Sequence, residues 1–302
     1  VRGRKVLVAL LTEDQEFQQM QAADASEAGA RLDLEVEVLF AENNAIVQIQ
    51  QLFQAVHAAE EAQPAAIVVE AVAQAGMERV CRNALKAGIG WVMLNGALGV
   101  MGRLKEEHPD VLVSSVLADE VEIGRIQGRQ ARALLPSGGA LLLVQGPLDA
   151  PSAEGRTQGL DEVIRGTDIE VRRGLHGDWT EVSAEKAVTS WLRLKSSEVL
   201  RPDLVVCQND AMAVGALRAM RQLRPEWEKV PCTGCDGLPE GGRRLVESGE
   251  LEATVVKPTT TGPALELVSR AIGGQIGSSS IVLAPRSHPP EEELRSRHGE
   301  AG

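Results

Sequence analysis

What most limits the fold of this chain is a repeated switch between two hydrophobic periods. Short apolar runs of strand length alternate with segments whose apolar residues recur at helical spacing, from Lys5 to about Ala284. The runs Lys5–Leu11, Leu32–Phe40, Ala65–Val69, Gly90–Leu94 and Val111–Ser114 predict strands. Between and after them, helices are expected over Phe17–Gly29, from Asn44 through Ala59, over Gly76–Ala87 and over Asp119–Leu135. The pattern then begins again. Ala140–Val144, Ile169–Leu175, Asp203–Cys207, Val230–Gly234, Glu252–Val256 and Ser280–Ala284 read as strands. Ser152–Ile164, Glu181–Lys195, Asp210–Met220, Glu240–Ser248 and Thr260–Ile272 read as helices. Strands joined through helices need crossover connections, so the sheets are parallel and covered on both faces. The expected fold is therefore α/β, with two doubly wound parallel-sheet, Rossmann-like lobes and right-handed crossovers.

Length agrees with two lobes, because 302 residues exceed one comfortable core. Three Phe, four Trp and no Tyr leave those cores to Val, Leu, Ile and Ala. A net charge of −12, with no run of Lys or Arg, makes nucleic acid and anionic membrane poor partners. No stretch reaches the roughly 18 apolar residues of a membrane span. The first residues run straight into a strand without a secretory pattern, and the chain begins with Val, so an upstream leader stays open.

The stretch Val205–Met220, VVCQNDAMAVGALRAM, shows how such a unit makes a site. A buried strand ends at Cys207, Asp210 is placed to cap the following helix, and Asn209 lies just past the strand's carboxyl end. Open α/β sheets bind small molecules there. An amide offers a donor and an acceptor to a hydroxylated ligand, and the competing reading is that Asn209 only shapes the turn.

Several segments in order, PSAEGRTQGL (Pro151–Leu160), CQNDAMAVGALRAM (Cys207–Met220), TGCDGLPEG (Thr233–Gly241) and SGELEATVV (Ser248–Val256), resemble type I periplasmic binding proteins of the ribose- and galactose-binding kind. That fold is shared with the effector domains of lactose-repressor-type regulators. The resemblance implies two lobes that close on a ligand about a hinge crossed three times, near Leu117–Ala118, Val256–Pro258 and Ile281–Leu283. The first lobe would then be residues 1–118 plus 258–281 and the second 119–257 plus 282–288, with 289–302 a mobile tail or short surface helix.

The family's pocket positions, carried over one by one, nominate ten residues. Asp14, Gln15 and Phe17 occupy the first strand-to-helix turn, where Phe17 would stack on a sugar face or else be a core residue at the helix start. Gln18 stands where a second aromatic is common. Glu70 and Asn95 end the third and fourth strands. Asn95-Gly96 replaces an Asp-Arg pair, so the bidentate Arg fork is missing. From the second lobe, Arg156 would reach the ligand from its helix, with a surface ion pair as the bland alternative. Trp179 would cover the other sugar face or pack as a loop residue, and Asn209 and Asp236 would hold hydroxyls. Lys257 sits at a crossing where an amide is usual, placed to pair with Glu70 or Asp236 or to meet an acidic ligand.

Other chemistry finds little support. Cys232 and Cys235 form a CxxC that spans a strand end and lacks the further ligands a zinc site needs, so two buried thiols are expected. Gly96–Gly102 does not follow GxGxxG, and no helical pattern is evident directly after it. His57, His108 and His176 have no nucleophile in pattern. No catalytic residue, cofactor or metal is expected. The leading expectation is a monomeric periplasmic receptor that captures a sugar or polyol for an ABC importer without making or breaking a bond. The alternative is a sensing domain of a transcriptional regulator or two-component kinase, cytoplasmic in the former case.

Overall fold

Strand β1 (Lys5–Leu10) is buried at every position after Lys5, the signature of a strand covered on both faces. The computed structural model containing it describes residues 4–195, 197, 200–277 and 280–299. The parts of the expected lobes and tail at 1–3, 196, 198–199, 278–279 and 300–302 lie outside the described residues. The described chain forms two compact units and passes between them after Ala118, Pro258 and Leu283.

In the first unit β1 is followed by α1 (Glu16–Leu32), β2 (Glu35–Phe40), α2 (Ala45–Val56), β3 (Ala66–Glu70), α3 (Met77–Lys86), β4 (Gly90–Leu94), α4 (Met101–Glu107) and β5 (Val113–Ala118). After the second unit the chain returns as α10 (Thr261–Ile272) and β11 (Ile281–Leu283). The sheet runs β11-β5-β4-β3-β1-β2, with every neighbour parallel. Odd and even residues of the central strands face two separate aliphatic cores. Leu7, Ile67 and Trp91 pack with α2 and α3, while Val6, Val68 and Val92 pack with α1 and α10. A buried polar clamp seats the returning helix. Gln21 Oε1 accepts from the Thr260 N–H at 2.8 Å, and Asp24 Oδ2 accepts from the Gly262 N–H at 2.7 Å, so α1 caps α10.

The second unit contains α5 (Glu120–Leu134), β6 (Gly139–Gln145), α6 (Pro151–Ile164), β7 (Ile169–His176), α7 (Glu181–Leu192), β8 (Leu204–Cys207), α8 (Asp210–Leu223), β9 (Cys232–Thr233), α9 (Arg244–Glu247) and β10 (Thr254–Val256). Its parallel sheet runs β7-β6-β8-β9, with single parallel bridges Thr233↔Ala253 and Asp236↔Val256 continuing it.

The structure departs from the expected pattern in three places. Helix α4 does follow the glycine-rich stretch. It is only seven residues long, and no side chain caps its N-terminus, so periodicity had little to register. The expected strands at 230–234 and 252–256 shrink to β9 and β10. Finally, β10 pairs antiparallel with β12 (Arg286–His288), an element with no apolar pattern of its own. Beyond it the segment expected as a tail or surface helix takes the helical form, α11 (Glu291–Gly299). Leu294 is fully buried there, and the Arg129 Nε of α5 donates to both Glu291 carboxylate oxygens at 2.8 and 2.9 Å.

Candidate functional site

In both units most of the nominated residues follow the carboxyl ends of parallel strands, while Phe17 stands on α1 and Arg156 on α6. Each set is held by its own unit.

In the first unit Glu70 ends β3 and is gripped from two sides. Gln18 Nε2 donates to one carboxylate oxygen at 3.0 Å and Asn95 Nδ2 to the other at 3.0 Å. Gln18 itself is fixed, because its Oε1 accepts from the Leu11 N–H at 3.2 Å. Gln48 Nε2 donates to the Glu70 carbonyl and its Oε1 accepts from the Val72 N–H, locking the strand end. Asn95 adopts φ 49°, a left-handed conformation that asparagine tolerates, and its Oδ1 is buried without a hydrogen-bond partner. The first turn is less assembled. Asp14 is exposed, with its N–H on Thr12 Oγ1, and Gln15 precedes α1 without a side-chain cap. Phe17 is buried, only 9% exposed.

In the second unit the central group is Glu120, the first residue of α5, which the sequence reading did not single out. Arg156 Nε lies 2.7 Å from its Oε2 and Lys257 Nζ 2.9 Å from its Oε1. Arg156 also donates to the Gln208 carbonyl and lies 5.2 Å from the centroid of the Trp179 ring, a cation–π contact. Close helix contact makes the pair feasible. A Cβ on Gly124 would stand 2.0 Å from the Arg156 carbonyl oxygen, so only glycine lets α5 and α6 approach to this distance. Of the two partners expected for Lys257, Glu70 lies in the other unit, and the carboxylate paired with it here is Glu120.

The capping assignment needs correcting. Asn209, not Asp210, is the N-cap of α8: its Oδ1 accepts from the Met212 N–H at 2.9 Å. Its Nδ2 donates to the Trp179 carbonyl at 2.9 Å, which ties the Trp179 loop to the helix start. Asn209 therefore shapes the turn, and half of its amide capacity remains for another group. Asp210 instead points inward, accepting from the Gly237 N–H at 2.7 Å and from Thr254 Oγ1 at 2.7 Å. Asp236 has φ 105°, a strained backbone for a residue with a side chain. Its N–H donates to the Val255 carbonyl and its own carbonyl accepts from the Lys257 N–H, so β10 holds it in that conformation.

Burial and pairing divide these carboxyls. Burial alone would raise the Glu120 pKa, but Arg156 and Lys257 outweigh it and hold it down to about 2. The same burial, with Asp236 nearby, drives Asp210 well above its ordinary value. A raised carboxyl pKa costs nothing below the unfolded value of 3.8 and destabilises progressively as pH climbs toward the folded value. Asp210→Asn can still meet the Gly237 N–H with its oxygen and Thr254 Oγ1 with its amide. Its stability relative to the parent is expected to improve steadily from pH 4 to pH 8 in urea titrations. A constant difference across that range would contradict the assignment.

Cys232 and Cys235 are both free and buried, in different cores. Sequence reasoning missed Glu120, Gln18 as a holder of Glu70, and Gln208, whose Nε2 donates to the Ala153 carbonyl at 3.1 Å. An acid at a helix start satisfies the helix dipole anyway, so nothing local marked Glu120 as different.

A family model described as a periplasmic binding protein domain matches residues 6–262. The chain belongs to that family. Among curated relatives, a xylitol-binding protein of Mycolicibacterium smegmatis is 29% identical over 65% of this chain and 52% of its own length. A putative rhizopine-binding protein of Rhizobium meliloti is 27% identical over 63% and 59%. The aligned part of this family member thus spans a little over half the length of those relatives. Among solved structures, the Caulobacter myo-inositol binding protein superposes with a TM-score of 0.81 at 24% identity, covering 98% of this chain and 97% of that one. A D-allose-bound periplasmic solute binding protein from Actinobacillus succinogenes gives 0.83 at 19%, covering 97% and 99%. These likenesses agree with the α/β fold of two parallel sheets. Among the described residues no helix is long and apolar enough to cross a membrane.

Proposed function

We propose that this protein is a periplasmic receptor that binds a small polyol or sugar and delivers it to an ABC importer, without chemistry on the ligand. The observation that carries this reading is that each unit ends its strands in fixed, unlike polar groups. Gln18, Glu70 and Asn95 form one set, and Arg156, Asn209, Asp236 and Lys257 with the Trp179 ring form the other. Fixed donors and acceptors beside an aromatic face suit a ring or chain of hydroxyls. The family and its relatives named for xylitol and myo-inositol point to the same ligand class. Asp14, Gln15 and Phe17 complete the proposed contact set from the first turn.

A thermal-shift screen over pentitols, cyclitols and aldoses tests the proposal. At a ligand concentration of about 100 times Kd, mass action adds roughly 2.7 kcal/mol and raises Tm by several degrees. Asn209→Ala and Asp236→Ala are expected to remove the shift produced by the best compound. No shift with any compound up to millimolar concentration would reject the reading.

A further inference from the structure

The carboxylates at these strand ends do not share one electrostatic situation. Glu120 is matched by two cations, at 2.7 and 2.9 Å. The Asp236 charge lies close enough to Arg156 to favour the charged guanidinium. Glu70 is different. Both of its side-chain contacts are amide donors, Gln18 Nε2 and Asn95 Nδ2, and among the described residues no Lys, Arg or His forms an ion pair with it. An ionised carboxylate offers about four acceptor positions, of which two are used here. One step away, Asn95 Oδ1 is a buried acceptor with no donor among the described residues. The two groups are joined by the Asn95–Glu70 hydrogen bond, so negative charge and unmet acceptor capacity sit in one rigid patch.

The patch is held in place. Gln18 is anchored on the Leu11 N–H, and Gln48 bonds both the Glu70 carbonyl and the Val72 N–H. Glu70 therefore keeps its place at the end of β3. A partly buried charge of this kind is satisfied best by a group that brings several donors and the opposite charge. A hydroxyl brings one donor and no charge. A primary ammonium brings three donors and a full positive charge.

We propose that the preferred ligand is a polyol or cyclitol carrying a primary amine, with its ammonium bound between the Glu70 carboxylate and Asn95 Oδ1. The inference rests on the polyol-receptor reading above and narrows its ligand class. A charge-assisted hydrogen bond exceeds a neutral one by about 1.4 kcal/mol, which corresponds to roughly tenfold in affinity.

Matched pairs make the test. Calorimetric titrations would compare myo-inositol with a mono-amino-deoxyinositol, and xylitol with a 1-amino-1-deoxypentitol, against the parent protein and Glu70→Gln. The parent is expected to bind the amine of at least one pair about tenfold more tightly than its hydroxyl analogue. Glu70→Gln keeps an oxygen acceptor at nearly the same volume, and is expected to abolish or invert the ratio of amine to hydroxyl affinities, whatever it does to the affinity for the neutral compound. If the neutral compounds bind the parent as well as or better than the amines, the ammonium assignment is overturned and the polyol reading survives. A preference for the amine that persists in Glu70→Gln also overturns it, by placing the ammonium elsewhere. If no compound of either kind binds the parent, both readings fall together. Should Glu70→Gln not fold, Asn95→Gly is the second variant: it removes the Oδ1 acceptor at a position whose φ of 49° suits glycine, and an undiminished amine preference there overturns the assignment.

Discussion

Glu120→Ala is expected to lower the stability of the second unit by about 3–5 kcal/mol, because it leaves two buried cations without their shared anion. Arg156 is 2% exposed and Lys257 7%, so neither can recover full hydration without moving. Arg156 would keep the Gln208 carbonyl, the Trp179 ring and the nearby Asp236 charge, but would lose the carboxylate 2.7 Å from its Nε. Dependence on pH gives a second reading of the same pair. Glu120 is depressed from 4.5 to about 2, so its contribution is complete above the unfolded value and fades as pH falls through that window. A shift of that size is worth roughly 3 kcal/mol. The parent should lose stability between pH 5 and pH 2 more steeply than Glu120→Ala. Urea titrations at pH 7 and pH 3 would measure both effects, and equal midpoints for parent and variant at pH 7 would refute the buried-pair account.

Gly159→Ala tests the close approach of α5 and α6 on which that pair depends. A Cβ at position 159 would lie 1.9 Å from the Val121 carbonyl oxygen and 2.7 Å from the Arg125 nitrogen. Both are backbone atoms of α5, so no side chain can swing aside to make room. The helices must part by more than an ångström, and overpacking of this kind costs about 3 kcal/mol. Parting them also draws Arg156 away from Glu120, and ligand affinity is expected to fall along with stability. Gly102→Ala is the contrasting substitution. A Cβ there meets nothing within 4 Å among the described residues, and the site lies inside α4, so replacement should be neutral or stabilising by about 0.5–1 kcal/mol. Equal behaviour of the two variants in thermal melts would show that the contact between α5 and α6 tolerates a methyl group.

The buried pair also changes what a truncation of Arg156 means. The sequence nominates it for the ligand through its place in PSAEGRTQGL, and the structure gives it three partners inside its own unit. Arg156→Ala would report stability as much as recognition. Asn209→Ala removes no partner of a buried cation, and the stability it costs is that of the α8 cap and the bond to the Trp179 carbonyl.

The amino-acid sequence by itself determined the class of fold and the ends of strands at which the polar residues lie. Hydrophobic period is a local property, and a continuous run such as Val6–Leu10 can be buried on both faces only inside a parallel sheet. The same locality explains what it left undetermined. Glu120, Arg156 and Lys257 are far apart in the chain, and each alone resembles a surface charge, at a helix start, on a helix and at a strand end respectively. Only the packing of α5 on α6 and the placement of β10 bring Arg156 and Lys257 each within 3 Å of Glu120. Strand β12 has no apolar period of its own, and its partner β10 supplies the pattern. The cap of α8 lies one residue from its expected place, because Asp210 found a buried partner in Thr254 that no local rule could name. Charge compensation and hydrogen-bond saturation are properties of neighbours in space, so no local pattern could record them.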